Sequence, residues 1–236
     1  MSSSPVLHFL CAGAAQGLVK ALQQQLSDTT GASLEGRFGA VGAMKEALLA
    51  GEPCDLFIVT DKMIGELVEA GALVGASRAA LGTVRTGIAV QAGASRPDVS
   101  TPEGLKAALL AASAICFPDP VRATAGIHFA NVMRELGVYD DLAPRFRTYP
   151  NGATAMREMG AAGAEPGQIG CTQITEIMYS AGVDLVGALP RQFELATVYS
   201  AAISSTALQP ELAARFIAML AGEGSRALRE AGGFEF

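Results

Sequence analysis

Five short runs of β-branched or apolar residues each break into a small-residue turn and then into helical spacing. They are Val6 to Cys11 before Ala12-Gly13-Ala14-Ala15, Leu34 to Phe38 before Gly39-Ala40-Val41-Gly42, Ala114 to Phe117 before Asp119 to Gly126, Arg145 to Tyr149 before Asn151-Gly152, and Gln168 to Cys171 before Thr172-Gln173. Strand and helix patterns in alternation predict parallel strands flanked by helices. Parallel strands would bring the helix starts to one edge. There the unpaired N–H groups and the positive end of each helix dipole favour a small anion, and small residues let it approach the main chain.

The first block predicts strands near 6–11, 34–39 and 55–59 and helices near 16–27, 43–50 and 61–70. Leu18, Val19, Leu22 and Leu26 recur at helical spacing, and Gly71 reads as a C-cap. A polar turn, Gly75 to Gly82, precedes a long strand over 84–91. The second block carries helices near 102–111, 125–136, 152–161 and 173–180, then a β-rich run from Leu195 to Ile203 and two helices beginning at Pro210 and Glu223. Two α/β blocks joined by two long strands predict a two-lobed α/β protein. Residues 1–84 and 190–236 form a discontinuous first lobe, 85–189 form the second, and a ligand cleft lies between the lobes.

Composition narrows the function classes. Half of the 236 residues are hydrophobic, but much of that is alanine, and no stretch supplies the roughly 20 apolar residues of a spanning helix. With net charge −6 and no cluster of lysines and arginines, nucleic acid is excluded as a partner. Cys11, Cys54, Cys116 and Cys171 are too far apart for a zinc pattern and read as small core hydrophobes. No metal, cofactor, nucleotide loop or hydrolase triad is expected. The visible start lacks a basic, apolar leader, so the chain reads as cytoplasmic as it stands and periplasmic if a signal peptide has been removed.

Several segments resemble one superfamily. These are Gly-Ala-Val-Gly-Ala-Met-Lys at 39–45, Gly-Glu-Pro-Cys-Asp-Leu-Phe-Ile-Val-Thr at 51–60, Arg-Thr-Gly-Ile-Ala-Val at 85–90, Gly-Ile-His-Phe-Ala at 126–130, Thr-Gln-Ile-Thr-Glu-Ile at 172–177 and Thr-Val-Tyr-Ser-Ala at 197–201. Over nearly its whole length the chain is similar to type II periplasmic binding proteins, in the ModA-like branch that includes aconitate isomerase. The resemblance implies two lobes, each a mainly parallel sheet, closing over a ligand at the strand C-termini. It further implies a monomeric solute-binding protein that captures a small anion and delivers it to an ABC permease. The alternative is an isomerase that interconverts cis- and trans-aconitate by an allylic proton shift. Molybdate binders of the superfamily present serine hydroxyls in both first-lobe loops, whereas these loops read Ala12-Gly13-Ala14-Ala15 and Ala40-Val41-Gly42. A di- or tricarboxylate fits such loops better than a tetrahedral metal oxyanion does.

The candidate ligand-binding residues are Gly13, Ala14, Ala15, Val41, Gly42, Arg122, Thr124, Asn151 and Thr172. Arg122 is placed to offer a carboxylate a bidentate guanidinium. His128, fifth in its helix, is the candidate base for the isomerase reading, with Cys11, Asp119 and Glu176 as reserves. Arg37, Arg85, Tyr149 and Tyr199 are expected at the rim or hinge, Asp61 as a helix cap, and His8 without a role.

Overall fold

The computed structural model describes residues 4–236. The chain runs β1 (Val6–Ala12), α1 (Gln16–Thr30), β2 (Ser33–Gly39), α2 (Val41–Leu49), β3 (Leu56–Thr60), α3 (Asp61–Glu69) and the long β4 (Leu73–Gln91). It continues α4 (Pro102–Ala111), β5 (Ile115–Pro118), α5 (Thr124–Glu135), α6 (Tyr139–Leu142), β6 (Phe146–Tyr149), α7 (Gly152–Met159), β7 (Ile169–Gln173), α8 (Ile174–Tyr179) and β8 (Val183–Ala188). It closes with β9 (Ala196–Ser204), α9 (Pro210–Ala221) and α10 (Arg226–Ala231). Two compact units result. The chain up to Thr83 packs with Thr197–Phe236, and Val84–Ala196 forms the second unit.

In the first unit β1 lies parallel to both β2 and β3, and β3 pairs antiparallel with β9. Every residue of β3 is buried, as a strand covered by helices on both faces requires. The Leu18, Val19, Leu22 and Leu26 stripe of α1 is buried as its spacing predicts. One expectation fails here: residues 75–82 are strand rather than a turn. Pairing with a neighbour explains it. The Ile203 N–H donates to Ser77 Oγ at 2.8 Å and the Ser205 N–H to the Ala72 carbonyl at 3.0 Å. Its place beside β9, to which Ser77 also bonds, holds a polar sequence extended where its pattern alone does not.

In the second unit β5 lies parallel to β6 and β7, while β4 pairs antiparallel with β7 on one side and β8 on the other. Strand β8 gives no alternating signal, and the sequence reading misses it. The two sheet faces are separate cores. Ile88, Phe117, Phe129, Ile169 and Cys171 pack on the α5 side, and Ala89, Cys116, Ala155, Met156 and Met159 on the α7 side. Phe117 and Phe129 meet edge to face at 5.6 Å, and each buries a side chain worth about 1.5–3 kcal/mol. The alternation along β7 therefore aims Cys171 and Gln173 toward α5, and Thr172 toward α7. Strand β7 also runs two residues past the predicted Cys171, so Thr172 and Gln173 belong to the strand and not to the helix. All four cysteines are free and buried, and burial pushes the Cys54 thiol up to about 12 and the Cys116 thiol to about 11.

Candidate functional site

In the first unit the three parallel strands end level with one another, with Ala12 opposite Gly39 and Cys11 opposite Ile58. Each end opens a helix: a 3-10 turn over Gly13–Ala15 that leads into α1, then α2 at Val41, then α3 at Asp61. Ala12, Ala40 and Thr60, the residues just before these starts, make no side-chain cap bond. The first N–H groups of such helices have no partner within the helix. Gly13, Ala14, Ala15, Val41 and Gly42 thus share one sheet edge, and what they offer there is main chain. Asp61 does not cap its helix as its position predicts. Its carboxylate accepts from Arg78 Nε and from Ser200 Oγ, both at 2.7 Å, and the Arg78 partner holds it below the usual carboxylate range.

The second unit repeats the arrangement with more polar side chains. Pro118 is opposite Tyr149, and the Asp119 N–H donates to the Tyr149 carbonyl at 2.7 Å. Continuing the β5–β7 pairing of Cys116 with Gly170 by three residues sets Asp119 level with Gln173. The edge therefore gathers the Asp119–Ala123 turn, the start of α7 and the start of α8. Asp119 Oδ1 accepts from the Val121 and Arg122 N–H groups at 2.7 and 3.1 Å, which shapes the turn that carries Arg122 and leads to Thr124. Gly126 lets α5 lie on the end of β5, because a Cβ there would come within 2.2 Å of the Pro118 carbonyl oxygen.

The α7 start is filled by the protein itself. Asn151 Oδ1 accepts the Thr154 N–H at 2.8 Å, and the buried Glu176 carboxylate takes the Ala153 N–H at 3.2 Å and the Thr172 hydroxyl. The Gln173 and Gly152 N–H groups also face that carboxylate. Burial raises the Glu176 carboxyl above the ordinary range, and these donors pull it back. Ala123 and Gln173, the residues just before α5 and α8, make no side-chain cap bond of their own, although Glu176 takes the Gln173 N–H.

Among the sequence-predicted residues, Arg122, Thr124, Asn151 and Thr172 share this edge. Asn151 and Thr172 already hold protein partners. His128 sits one turn inside α5, where its Nε2 lies 2.7 Å from the Phe193 carbonyl. A carbonyl only accepts, so Nε2 carries a hydrogen, and in the neutral ring the lone pair is on Nδ1. Of the reserve bases, Cys11 is a buried thiol pushed well up by burial, and Glu176 is enclosed by donors. Arg37 pairs with Glu52 at 2.7 Å and Arg85 with Glu194 at 3.5 Å, while Tyr199 is buried in β9. His8 has partners that the sequence does not show. Its N–H donates to Asp55 Oδ2 at 2.8 Å, and its ring lies 3.5 Å from the same carboxylate.

Sequence reasoning sets Gln173 and Thr175 beside Thr172 at a helix start but gives the polar contact to Thr172, and it passes over Thr86. The exposures of Gln173, Thr175 and Thr86 are 3%, 5% and 1%, yet both polar atoms of the Gln173 carboxamide and the Thr175 and Thr86 hydroxyls lack a hydrogen-bond partner among the described residues. Thr86 stands opposite Gln173 on β4. Buried polar groups are nearly always paired, so these atoms at the end of β7 and across from it on β4 stand out.

Comparison with known proteins fits this geometry. The chain is similar to an aconitate isomerase from a Pseudomonas species, with 26% identity over 98% of this chain and 89% of that protein. Among solved structures it is similar to the periplasmic molybdate-binding protein of Azotobacter vinelandii, with a TM-score of 0.79, 20% identity and coverage of 98% and 99% of the two chains. It is also similar to the sulfate-binding protein SubI of Mycobacterium tuberculosis, with a TM-score of 0.72, 15% identity and coverage of 98% and 86%. These likenesses establish the periplasmic-binding-protein fold. The family model described as bacterial extracellular solute-binding protein matches residues 7–235, and the chain belongs to that family.

Proposed function

We propose that this protein is a receptor for a small carboxylate-bearing anion, held chiefly by main-chain N–H groups. The observation that carries this reading is the set of uncapped helix starts at the strand ends, made of Gly13–Ala15 and Val41–Gly42 in one unit and the α5 start in the other. A carboxylate is suited to N–H donors at helix starts. A tetrahedral oxyanion draws on more donors than hydroxyl-free loops provide. Arg122, in the turn before α5, supplies charge, and Thr124 a hydroxyl. Family membership supports a place in transport, with delivery to an ABC permease by a monomeric receptor on the outer side of the cytoplasmic membrane. Titration calorimetry against malate, succinate, citrate, sulfate and molybdate tests it. Micromolar binding of a polycarboxylate is expected, and binding of sulfate or molybdate alone would refute it.

A second reading, isomerisation of aconitate, is favoured by the similarity to aconitate isomerase over 98% of the chain. His128 Nδ1 would then take the allylic proton, with the N–H groups of the helix starts holding the developing charge. Incubation with trans-aconitate separates the two, since a receptor binds without producing the cis isomer.

A further inference from the structure

We infer that Gln173, with Thr86 beside it, reads a hydroxyl adjacent to a carboxylate, so that the preferred ligand is a 2-hydroxycarboxylate; this deepens, and rests on, the carboxylate reading above. The Gln173 carboxamide presents a donor and an acceptor together, both buried and both without partners among the described residues. A bare carboxylate satisfies only Nε2–H and leaves Oε1 against a negative oxygen. A hydroxyl on the neighbouring carbon resolves this: the carboxylate accepts from Nε2–H while the hydroxyl donates to Oε1. Thr86, level with Gln173 across the β4–β7 ladder and on the same sheet face, adds a third polar atom that can donate or accept.

Charge in the neighbourhood points the same way. Glu176 accepts the Gln173 backbone N–H and stands in the first turn of α8, offsetting the positive end of that helix. A second bare carboxylate placed there finds that helix start already served by the Glu176 carboxyl, whereas a hydroxyl bonded to the Gln173 side chain does not depend on it. Thr175, also buried and unpartnered in that turn, offers one more neutral contact. The 2-hydroxycarboxylate end of the ligand then faces Gln173, and a further carboxylate faces the Arg122 turn.

The test uses matched pairs on the full chain: malate against succinate, and citrate against tricarballylate, by titration calorimetry. Each hydroxy acid is expected to bind at least about tenfold tighter than its deoxy partner, the effect of leaving a buried polar group unsatisfied. Gln173→Leu should weaken both acids and erase that preference, bringing malate and succinate to within about threefold of each other. Thr86→Val, which changes shape little, should narrow the preference and covers the case in which the Gln173 variant does not fold. Equal affinities within each wild-type pair overturn the hydroxyl inference and leave the carboxylate reading standing. Absence of binding by all four acids overturns both.

Discussion

Gly152→Ala probes the point where α7, α8 and β7 meet. A Cβ on Gly152 would come within 1.8 Å of Thr172 Oγ1 and 2.0 Å of Glu176 Oε2, where ordinary contact is 3.4 Å or more. Both neighbours are buried and bonded to each other, and Glu176 also holds the Ala153 N–H, so neither can swing into solvent. Relief needs a shift of the α7 start by over 1 Å. Overpacking of this kind costs about 1–3 kcal/mol, and loss of one hydrogen bond to the buried carboxylate adds about 1.5–3 kcal/mol. We expect about 3–5 kcal/mol in urea unfolding followed by far-UV circular dichroism, with a fall in melting temperature of about 10 °C for a chain of this size. Gly187→Ala is the control, because its nearest neighbour, Val99 Cγ2, is 4.0 Å away, and it should change stability by less than about 1 kcal/mol. A Gly152 variant as stable as the control would show that the Thr172–Glu176 pair is not pinned, and the account of a self-filled α7 start would fail.

Three further outcomes follow from the same structure. Arg122→Ala should weaken binding of the preferred polycarboxylate by at least about 1.5 kcal/mol in calorimetry, and unchanged affinity removes Arg122 from the site. Asp61 has its folded pKa lowered from 3.8, first by the Arg78 bond, so its stabilisation is present above that value and is lost as pH falls through the lower folded one. Asp61→Asn should therefore cost about 1 kcal/mol at pH 7 for this part-exposed pair, and the gap to wild type in urea midpoints should shrink below about pH 3.8; a pH-independent gap contradicts the assignment. Arg229, buried, donates to the Leu81, Ala221 and Gly222 carbonyls at 2.7–2.9 Å. One ammonium cannot span that fork, so Arg229→Lys should lower unfolding stability by about 2–3 kcal/mol, and a neutral result would deny the guanidinium that role.

How much of the site was legible depended on the kind of group involved. The Gly13–Ala15 and Val41–Gly42 turns could be read because small residues after an apolar run carry their meaning locally. Asp61 was misread for the complementary reason: a first-turn acid looks like a cap until Arg78 and Ser200, distant in sequence, are seen to claim it. Asn151 and Thr172 stand at the expected sheet edge, but near neighbours in the chain, the Thr154 N–H and the Glu176 carboxyl, already engage them.

The strand–helix alternation, the helix stripes such as Leu18 to Leu26 and the edge at which the turns gather follow from the order of residues, because these depend on spacing within a dozen positions. Which polar atoms are spent and which are left waiting does not. Gln173 and Thr86 are 87 positions apart and become a pair only through the antiparallel register of β4 and β7. Their significance lies in burial without a partner, a property of neighbours that folding brings from elsewhere in the chain. Glu176 likewise reads in sequence as a reserve base, and the fold instead encloses its carboxyl among the donors at the α7 start.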